Sequence, residues 1–256
     1  KEKVPTQVDL GWHNCYYFNN GVESDRIKDD FNETTLINGV KASTTIEEPY
    51  IEERRGNGLI YSGIYNSTSG VNNLNQFIQA EKITKDLNPT YGSIQKLHSR
   101  NTDLVTLCED KTLRILANKD AVYNADGNAN VTSTENVLGQ AVPFVGEYGI
   151  SKDPESFASE SYRVYFTDRQ RGAVLRLSKD GLTPISDAGM HSYFKDHLKD
   201  AYQLRGSYDG YKKEYNLTID SPEGITEDSK TISFSEDVRG WTSFKSFIPE
   251  SGVSMS

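Results

Sequence analysis

Histidine and cysteine are the side chains in this sequence most suited to a catalytic or metal site, and they are few. The histidines stand at positions 13, 98, 191 and 197, and the cysteines at positions 15 and 108. Their spacings match no HExxH, CxxC, GxSxG, P-loop or GxGxxG signature. His191 and His197 are six residues apart, which does not place them on one face of a helix. A histidine among aromatic residues, as at His13 and His197, is more often packed or exposed than catalytic.

The two cysteines predict buried reduced thiols rather than a disulfide framework or a zinc centre. Cys15 and Cys108 each lie in a largely apolar run, and a structural zinc site needs four ligands. Residues 126–130 (DGNAN) alternate oxygen-bearing side chains as calcium loops do. They lack the glycine at the sixth position and the late glutamate of such loops, so a polar turn is favoured. We predict no metal and no cofactor.

Paired carboxylates for glycoside hydrolysis are the remaining chemical candidates. Adjacent or near-adjacent acids occur at three places, all within predicted solvated turns: Glu109/Asp110, Glu155/Glu160 and Glu236/Asp237. No pair stands out, so the sequence predicts no catalytic residue. Glycosylation sequons begin at positions 32, 66, 130 and 216, about as many as chance gives in a chain so rich in Asn, Ser and Thr.

The segment 91–127 predicts a four-stranded meander. Its β-prone runs lie near 93–100, 104–109, 112–118 and 121–125, separated by turns rich in Asn, Asp and Lys. The second run is almost wholly apolar, which suits a strand covered on both faces of a sheet. We expect Leu113 and Ile115, in the third run, to be buried.

The same rhythm of strands and turns recurs at 147–187 and 203–248. The second copy contains YRVYFTD (162–168) and AVLRLS (173–178), and the third contains EYNLTID (214–220), which we expect to pair with the TISFS run that follows. The copies are about one propeller blade apart. We therefore predict an all-β fold of propeller-like blades, each a four-stranded antiparallel sheet, in a complete or incomplete propeller. A β-sandwich has similar strand spacing and is the alternative.

The domain organisation follows from where the repeats lie. Residues 1–90 are the least regular, and we predict strands and loops there, including a strand at GLIYSGIY (58–65), that form at most a partial blade. Residues 91–256 hold the three blade-like repeats. The chain begins Lys1-Glu2-Lys3, and we expect it to be one domain of a longer protein.

One or two short helices interrupt the predicted strands. The clearest is at 189–202, where apolar residues recur at helical spacing, and Ser186 or Asp187 is the expected N-cap. A shorter helix is indicated from Val71 to Ile78. After the third repeat's turn, Trp241 should begin a strand and be largely buried.

Composition narrows the function classes. The chain has 15 Tyr and 10 Phe but few helix-forming runs, which favours β structure. Its net charge of −9 disfavours nonspecific binding to nucleic acid. No apolar run reaches the length that crosses a bilayer. We therefore predict neither sequence-specific nucleic-acid binding nor membrane insertion.

Several segments of the sequence resemble tail proteins of short-tailed phages. They include GLIYSGIYNS (58–67), LCEDKTLRILANKDA (107–121), RGAVLRLSKDGLTPIS (171–186) and GWTSFKSFIPES (240–251). The group they resemble is the nozzle or muzzle protein of crAss-like and related phages. The resemblance covers roughly residues 12–250. It implies a non-enzymatic virion component, built on propeller blades, that forms a ring below the portal, and it carries over no active-site residue.

The resulting hypothesis is a structural component of a phage tail that assembles in the host cytoplasm. Its expected partners are portal or tail proteins and copies of itself in a ring that channels DNA, with contacts from residues 28–55 and 131–146. The alternative is a carbohydrate-binding or glycan-processing receptor-recognition propeller, which requires carboxylates or Tyr/Trp side chains converging at one end of the blades. A third interpretation, an extracellular adhesion propeller, depends on the YFTD run (165–168) alone.

Overall fold

The computed structural model describes residues 55–74, 83–100, 103–123, 129–221 and 229–252. These residues form fourteen strands and one α-helix. The first six strands are β1 (Gly58–Ile60), β2 (Thr84–Asp86), β3 (Ile94–Arg100), β4 (Asp103–Cys108), β5 (Thr112–Tyr123) and β6 (Ala129–Pro143). Then come β7 (Ala158–Glu160), β8 (Arg163–Asp168), β9 (Ala173–Ser178), β10 (Gly181–Pro184) and helix α1 (His191–Asp200). The last four strands are β11 (Leu204–Asp209), β12 (Glu214–Ile219), β13 (Lys230–Ser235) and β14 (Gly240–Lys245).

Twelve of these strands form three four-stranded sheets in which neighbours along the chain are neighbours in space. We call β3–β6 the first sheet, β7–β10 the second sheet and β11–β14 the third sheet. Strands β1 and β2 form a separate antiparallel pair. The strand pairs β3–β4 and β4–β5, and every strand pair of the second and third sheets, are antiparallel. The all-β prediction, with a short helix, is confirmed.

The chain divides into two compact units, 1–87 with 117–139, and 88–116 with 140–256. In the first unit β1 pairs with β2, and a tight turn follows in which the amide of Asn66 donates to the carbonyl of Val71. The predicted strand at 58–65 is therefore too long: only 58–60 is strand, because the chain folds back on itself after Tyr65. Residues 71–74 are not helical, and the rest of that predicted helix, with the region before residue 55, lies outside the described residues. The predicted domain boundary near residue 90 stays a prediction.

Three strands of the second unit, one from each four-stranded sheet, correspond to one another residue by residue. Strands β4, β8 and β12 are each six residues long. Val105 and Leu107 of the first sheet share one apolar cluster with Val164 and Phe166 of the second sheet. Tyr165, the intervening residue of β8, points to the opposite face and belongs to the cluster shared with the third sheet. The second sheet is thus packed on both faces, as its continuous apolar strands predict.

The connection from the first sheet to the second is held by a buried carboxylate. Asp168 accepts hydrogen bonds from the amide of Gly149 (3.1 Å), the hydroxyl of Ser151 (3.1 Å) and the guanidinium of Arg171 (2.9 Å). Gly149 is required here, because a Cβ atom would lie 2.1 Å from the carbonyl oxygen of Glu109. A buried charge with this many donors is well solvated by the protein.

The outward face of the third sheet is polar, unlike the faces that join the sheets. Thr218 and Thr231 share a 2.8 Å hydrogen bond between their hydroxyls, and Ser233 donates to Asn216 at 2.7 Å. The segment 246–252 lies across this face, since Thr231 also donates to the carbonyl of Phe247. The sequon at Asn216 is therefore buried in a strand and unsuited to glycosylation.

Two sequence predictions about the first sheet have different outcomes. Leu113 and Ile115 are buried, as predicted. The predicted fourth strand at 121–125 is wrong, because β5 runs unbroken through residues 118–120 to Tyr123. The strand β6 then occupies most of the segment 131–146, which was expected to be an irregular linker that contacts neighbouring proteins. The β-branched residues of β6 favour a long extended pairing over the local turn preference of Asn-Lys-Asp.

Helix α1 packs on the cluster between the second and third sheets. Phe194 and Leu198 are fully buried, and the ring of Phe194 lies 4.5 Å from that of Trp241. The helix is two residues shorter at each end than predicted. Its N-cap is Met190, with no side-chain cap, because residues 185–187 form a separate 3-10 turn. The prediction that Ser186 or Asp187 caps the helix was wrong.

Candidate functional site

A cleft of about 1450 Å³ opens between the second and third sheets. Four hairpin turns border it, because both sheets run up and down and bring their β7–β8, β9–β10, β11–β12 and β13–β14 turns to the same end. The lining is mostly polar, and its charged members are Glu160, Arg163, Arg176, Lys179, Asp180, Lys213, Glu236, Asp237 and Arg239.

Glu236 is the centre of the cleft's hydrogen-bond network. The phenol of Tyr165 donates to its Oε1 at 2.5 Å, and Nη1 of Arg176 donates to its Oε2 at 2.9 Å. Nε of Arg163 lies 4.0 Å from the same Oε2, and Nη1 of Arg163 donates to Glu160 at 3.2 Å. A carboxylate on the third sheet is thus held by three side chains of the second sheet.

A stack of tyrosine rings lies behind this network. Tyr165 is flanked by Tyr215, whose ring centroid is 4.9 Å away, and by Tyr208 at 5.7 Å, with the planes nearly parallel. Burial, followed by the hydrogen bond to Glu236, raises the pKa of Tyr165. Burial and the nearby carboxylate of Glu160 raise the pKa of Tyr208 to about 12.

The Tyr165–Glu236 pair superficially matches the tyrosine nucleophile of sialidases. A nucleophilic phenol must be reachable and easily deprotonated, whereas Tyr165 is fully buried and its pKa is raised. Both oxygens of Glu236 already accept hydrogen bonds. The arrangement therefore joins two sheets; it does not activate a nucleophile.

The described histidines contact residues outside this network. His191 is exposed and contacts Asp187 at 2.8 Å, and His197 stacks on Tyr193 with a 4.0 Å centroid distance. His98 packs against Phe157, and its pKa is lowered by burial and then by two neighbouring cations. These contacts form no set of nucleophile and base. His13 lies outside the described residues.

Two of the paired acids, Glu109 and Glu236, are less exposed than the sequence suggested, whereas Glu155 and Asp237 are exposed. Glu109 accepts hydrogen bonds from the hydroxyl and amide of Ser93, and this lowers its pKa. Glu236 is only 10% exposed in its side chain. The prediction that both lie in solvated turns was wrong, because their turns fold against other strands. One feature of the sequence points to a buried partner for Glu236. Arg176 is the one charged residue in the otherwise apolar run AVLRLS, and a charge in such a strand requires an opposite charge nearby.

Cys108 is buried and free, as predicted. Burial, and then the charge of Glu109, raise the pKa of its thiol to about 11, so it is not a nucleophile at neutral pH. Cys15 and the turn at 126–128 lie outside the described residues. Within the described part of the chain no three His, Cys, Asp or Glu side chains group as metal ligands.

Trp241 is half-buried rather than largely buried. Its indole N–H donates to the carbonyl of Ile185 at 3.0 Å, and its ring packs on Phe194 and Phe234. It stands second in β14, close to the predicted start. The prediction that β12 and β13 are adjacent and antiparallel is confirmed, and most of the loop between them lies outside the described residues.

Comparison with known families decides what kind of protein carries this fold. The model of the Crassvirus muzzle protein matches residues 44–256. The chain belongs to the Crassvirus muzzle protein family. As a muzzle-family member it is a phage virion structural protein of the tail, which agrees with the resemblance found in its sequence. The comparison with curated proteins finds no match.

The character of the cleft is consistent with membership of the muzzle family. A virion structural protein needs surfaces for other virion proteins, and the cleft is a polar, open surface built from turns. Among the residues that the structure describes, no helix has the length and apolar character to span a bilayer.

Proposed function

We propose that this chain is a non-enzymatic wall module of the phage tail, in which the three sheets are consecutive blades of a propeller. The observation that carries the proposal is that the three sheets pack one on the next in the same way. Residues 105 and 107 of the first sheet share a cluster with 164 and 166 of the second, and residue 165 of the second sheet shares a cluster with 215 of the third. In a sandwich two sheets share one core, whereas here the middle sheet contributes to two cores.

We propose further that copies of the protein form a ring with other tail proteins, and that DNA passes through it. The net charge of −9 supports this, because an acidic wall does not retain DNA by counterion release. Residues 28–55, which lie outside the described residues, remain the proposed source of contacts between neighbours. Assembly in the host cytoplasm is part of the same proposal.

The oligomeric state of the purified protein tests the ring. Native mass spectrometry, alone and after mixing with the portal-proximal tail proteins, should give one closed stoichiometry. A protein that stays monomeric in both conditions contradicts the ring. Binding of double-stranded DNA at 150 mM salt would contradict the proposal that DNA passes through the ring without being retained.

The cleft also gives specific support to a second candidate, a receptor-recognition module that binds glycans. It brings Glu160, Asp180, Glu236 and Asp237 to one opening beside Tyr162. The ring of Tyr162, however, already has Arg163 at 4.8 Å and Lys179 at 5.2 Å from its centroid. A glycan array with saturable binding that is lost in Tyr162→Ala would favour this candidate over the wall module.

A further inference from the structure

The floor and the rim of the inter-sheet cleft differ in charge. On the floor, Arg163 and Arg176 are paired with Glu160 and Glu236 at N–O distances between 2.9 and 4.0 Å. Two cations and two carboxylates thus compensate one another. The floor alone has no unmatched charge to offer a ligand.

The rim carries three basic side chains and two acidic ones. Lys179, Lys213 and Arg239 lie on three different hairpin turns, against Asp180 and Asp237. In the part of the chain that the structure describes, none of the three cations is within ion-pair distance of a carboxylate. The cleft as a whole therefore has one more positive than negative charge, on a chain whose net charge is −9.

Two of these cations stand where the backbone favours glycine. Lys213 has φ of 54° and Arg239 has φ of 56°, both in the left-handed region. A side chain in this conformation costs stability relative to glycine, since its Cβ crowds the backbone. Hairpin turns commonly place Gly or Asn at such positions. Neither side chain makes an ion pair among the described residues that would offset this cost, which points to a role outside folding.

We propose that the cleft binds an extended acidic peptide segment of a neighbouring virion protein, with Lys213 and Arg239 as its carboxylate-binding residues. The identity of the partner as a virion protein rests on the proposed function; the binding chemistry does not. Carboxylates spaced along a peptide can meet the rim cations, and the peptide's amides can donate to Asp180 and Asp237. A nucleic acid is disfavoured, because its sugar-phosphate backbone has no N–H groups that could donate to Asp180 and Asp237.

The probe is a fluorescein-labelled hexaglutamate peptide, with hexaglutamine and a single-stranded oligo-dT as comparison ligands. Fluorescence anisotropy on the full chain at 50 mM salt should show saturable binding of hexaglutamate, weakened by added salt. The double variant Lys213→Gly/Arg239→Gly should bind about tenfold or more weakly, from the loss of two charge-assisted hydrogen bonds. Its melting temperature should be unchanged or higher, because glycine relieves the left-handed strain.

The matched control is Lys212→Gly, which removes the same charge from the same hairpin at an exposed position that does not line the cleft. It should leave hexaglutamate binding within about twofold of the native value. If the double glycine variant does not fold, Lys213→Asn/Arg239→Asn replaces it, since asparagine tolerates this backbone conformation.

Four results would overturn the proposal: no binding of hexaglutamate, equal binding of hexaglutamine or oligo-dT, full binding by the double variant, or equal loss in the Lys212→Gly control. The ring proposal is measured by oligomeric state and not by peptide binding. Failure of either proposal therefore leaves the other standing.

Discussion

Glutamine at position 236 would remove the charge that joins the second and third sheets while keeping the shape of the side chain. Glu236 is paired with Arg176 at 2.9 Å, and these side chains are 10% and 21% exposed. Breaking a fully buried pair costs about 3–5 kcal/mol, because the remaining charge is left uncompensated. Since Arg176 and Arg163, the two arginines near Glu236, are 21% and 26% exposed and keep some access to water, we expect Glu236→Gln to lower the free energy of unfolding by about 2–3 kcal/mol.

The fluorescence of Trp241 reports directly on this junction. Its indole donates to Ile185 and its ring packs on Phe194, both of which belong to the cluster between the two sheets. Urea unfolding should be followed in a Trp12→Phe background, so that the signal comes from Trp241 alone. A lower midpoint with an unchanged slope identifies lost stability.

A double-mutant cycle then separates the hydrogen bond from the ion pairs. Tyr165→Phe removes the 2.5 Å bond to Glu236 and should cost about 1–2 kcal/mol. The double variant should cost less than the sum of the two single variants by about 1 kcal/mol. The matched control is Asp237→Asn, an exposed neighbour on the same turn, which should change stability by about 0.5 kcal/mol or less. A loss in Glu236→Gln no larger than in this control would refute the network's role.

Three further predictions concern the first sheet. Leu107→Asp should unfold the second unit, with a loss of about 4 kcal/mol or more from an unpaired buried charge, whereas Leu97→Asp at an exposed position should be tolerated by circular dichroism. Iodoacetamide at pH 8 should label Cys108 only after unfolding, with the other cysteine replaced by serine; rapid labelling of the folded protein would contradict its raised pKa. Because the pKa of Glu109 is lowered in the folded state, its contribution to stability is present above about pH 4.5 and is lost as the pH falls through the folded pKa. Ser93→Ala should therefore reduce the loss of stability on acidification below that pH. An unchanged dependence of stability on pH would contradict Ser93 as the cause of the lowered pKa of Glu109.

The second and third sheets could be predicted from sequence because their strands are bounded by strong local signals. The run Ala173–Ser178 coincides with β9, and Lys179-Asp180-Gly181 supplies a turn at its end. Gly181 has φ of 105°, a conformation that glycine adopts readily. Where turn chemistry and apolar runs agree, the strand bounds follow to within a residue or two.

In the first sheet, local turn composition does not coincide with the strand ends. Asn118-Lys119-Asp120 has the composition of a turn, yet it lies inside β5. Pairing between β5 and β6 decides the structure there, and a pairing partner is not visible in a local pattern. The cleft network was missed for a related reason. Glu236 meets Arg176 and Tyr165 across sequence separations of 60 and 71 residues, which only the stacking of the sheets brings together.

The central claim is that the three sheets are consecutive blades of a tail-wall protein, and a cryo-EM reconstruction of the virion tail tests it most directly. We expect density for the first, second and third sheets arranged in succession about one axis, within a closed ring of identical subunits. Sheets arranged as a two-layer sandwich, or subunits that do not close into a ring, would contradict it.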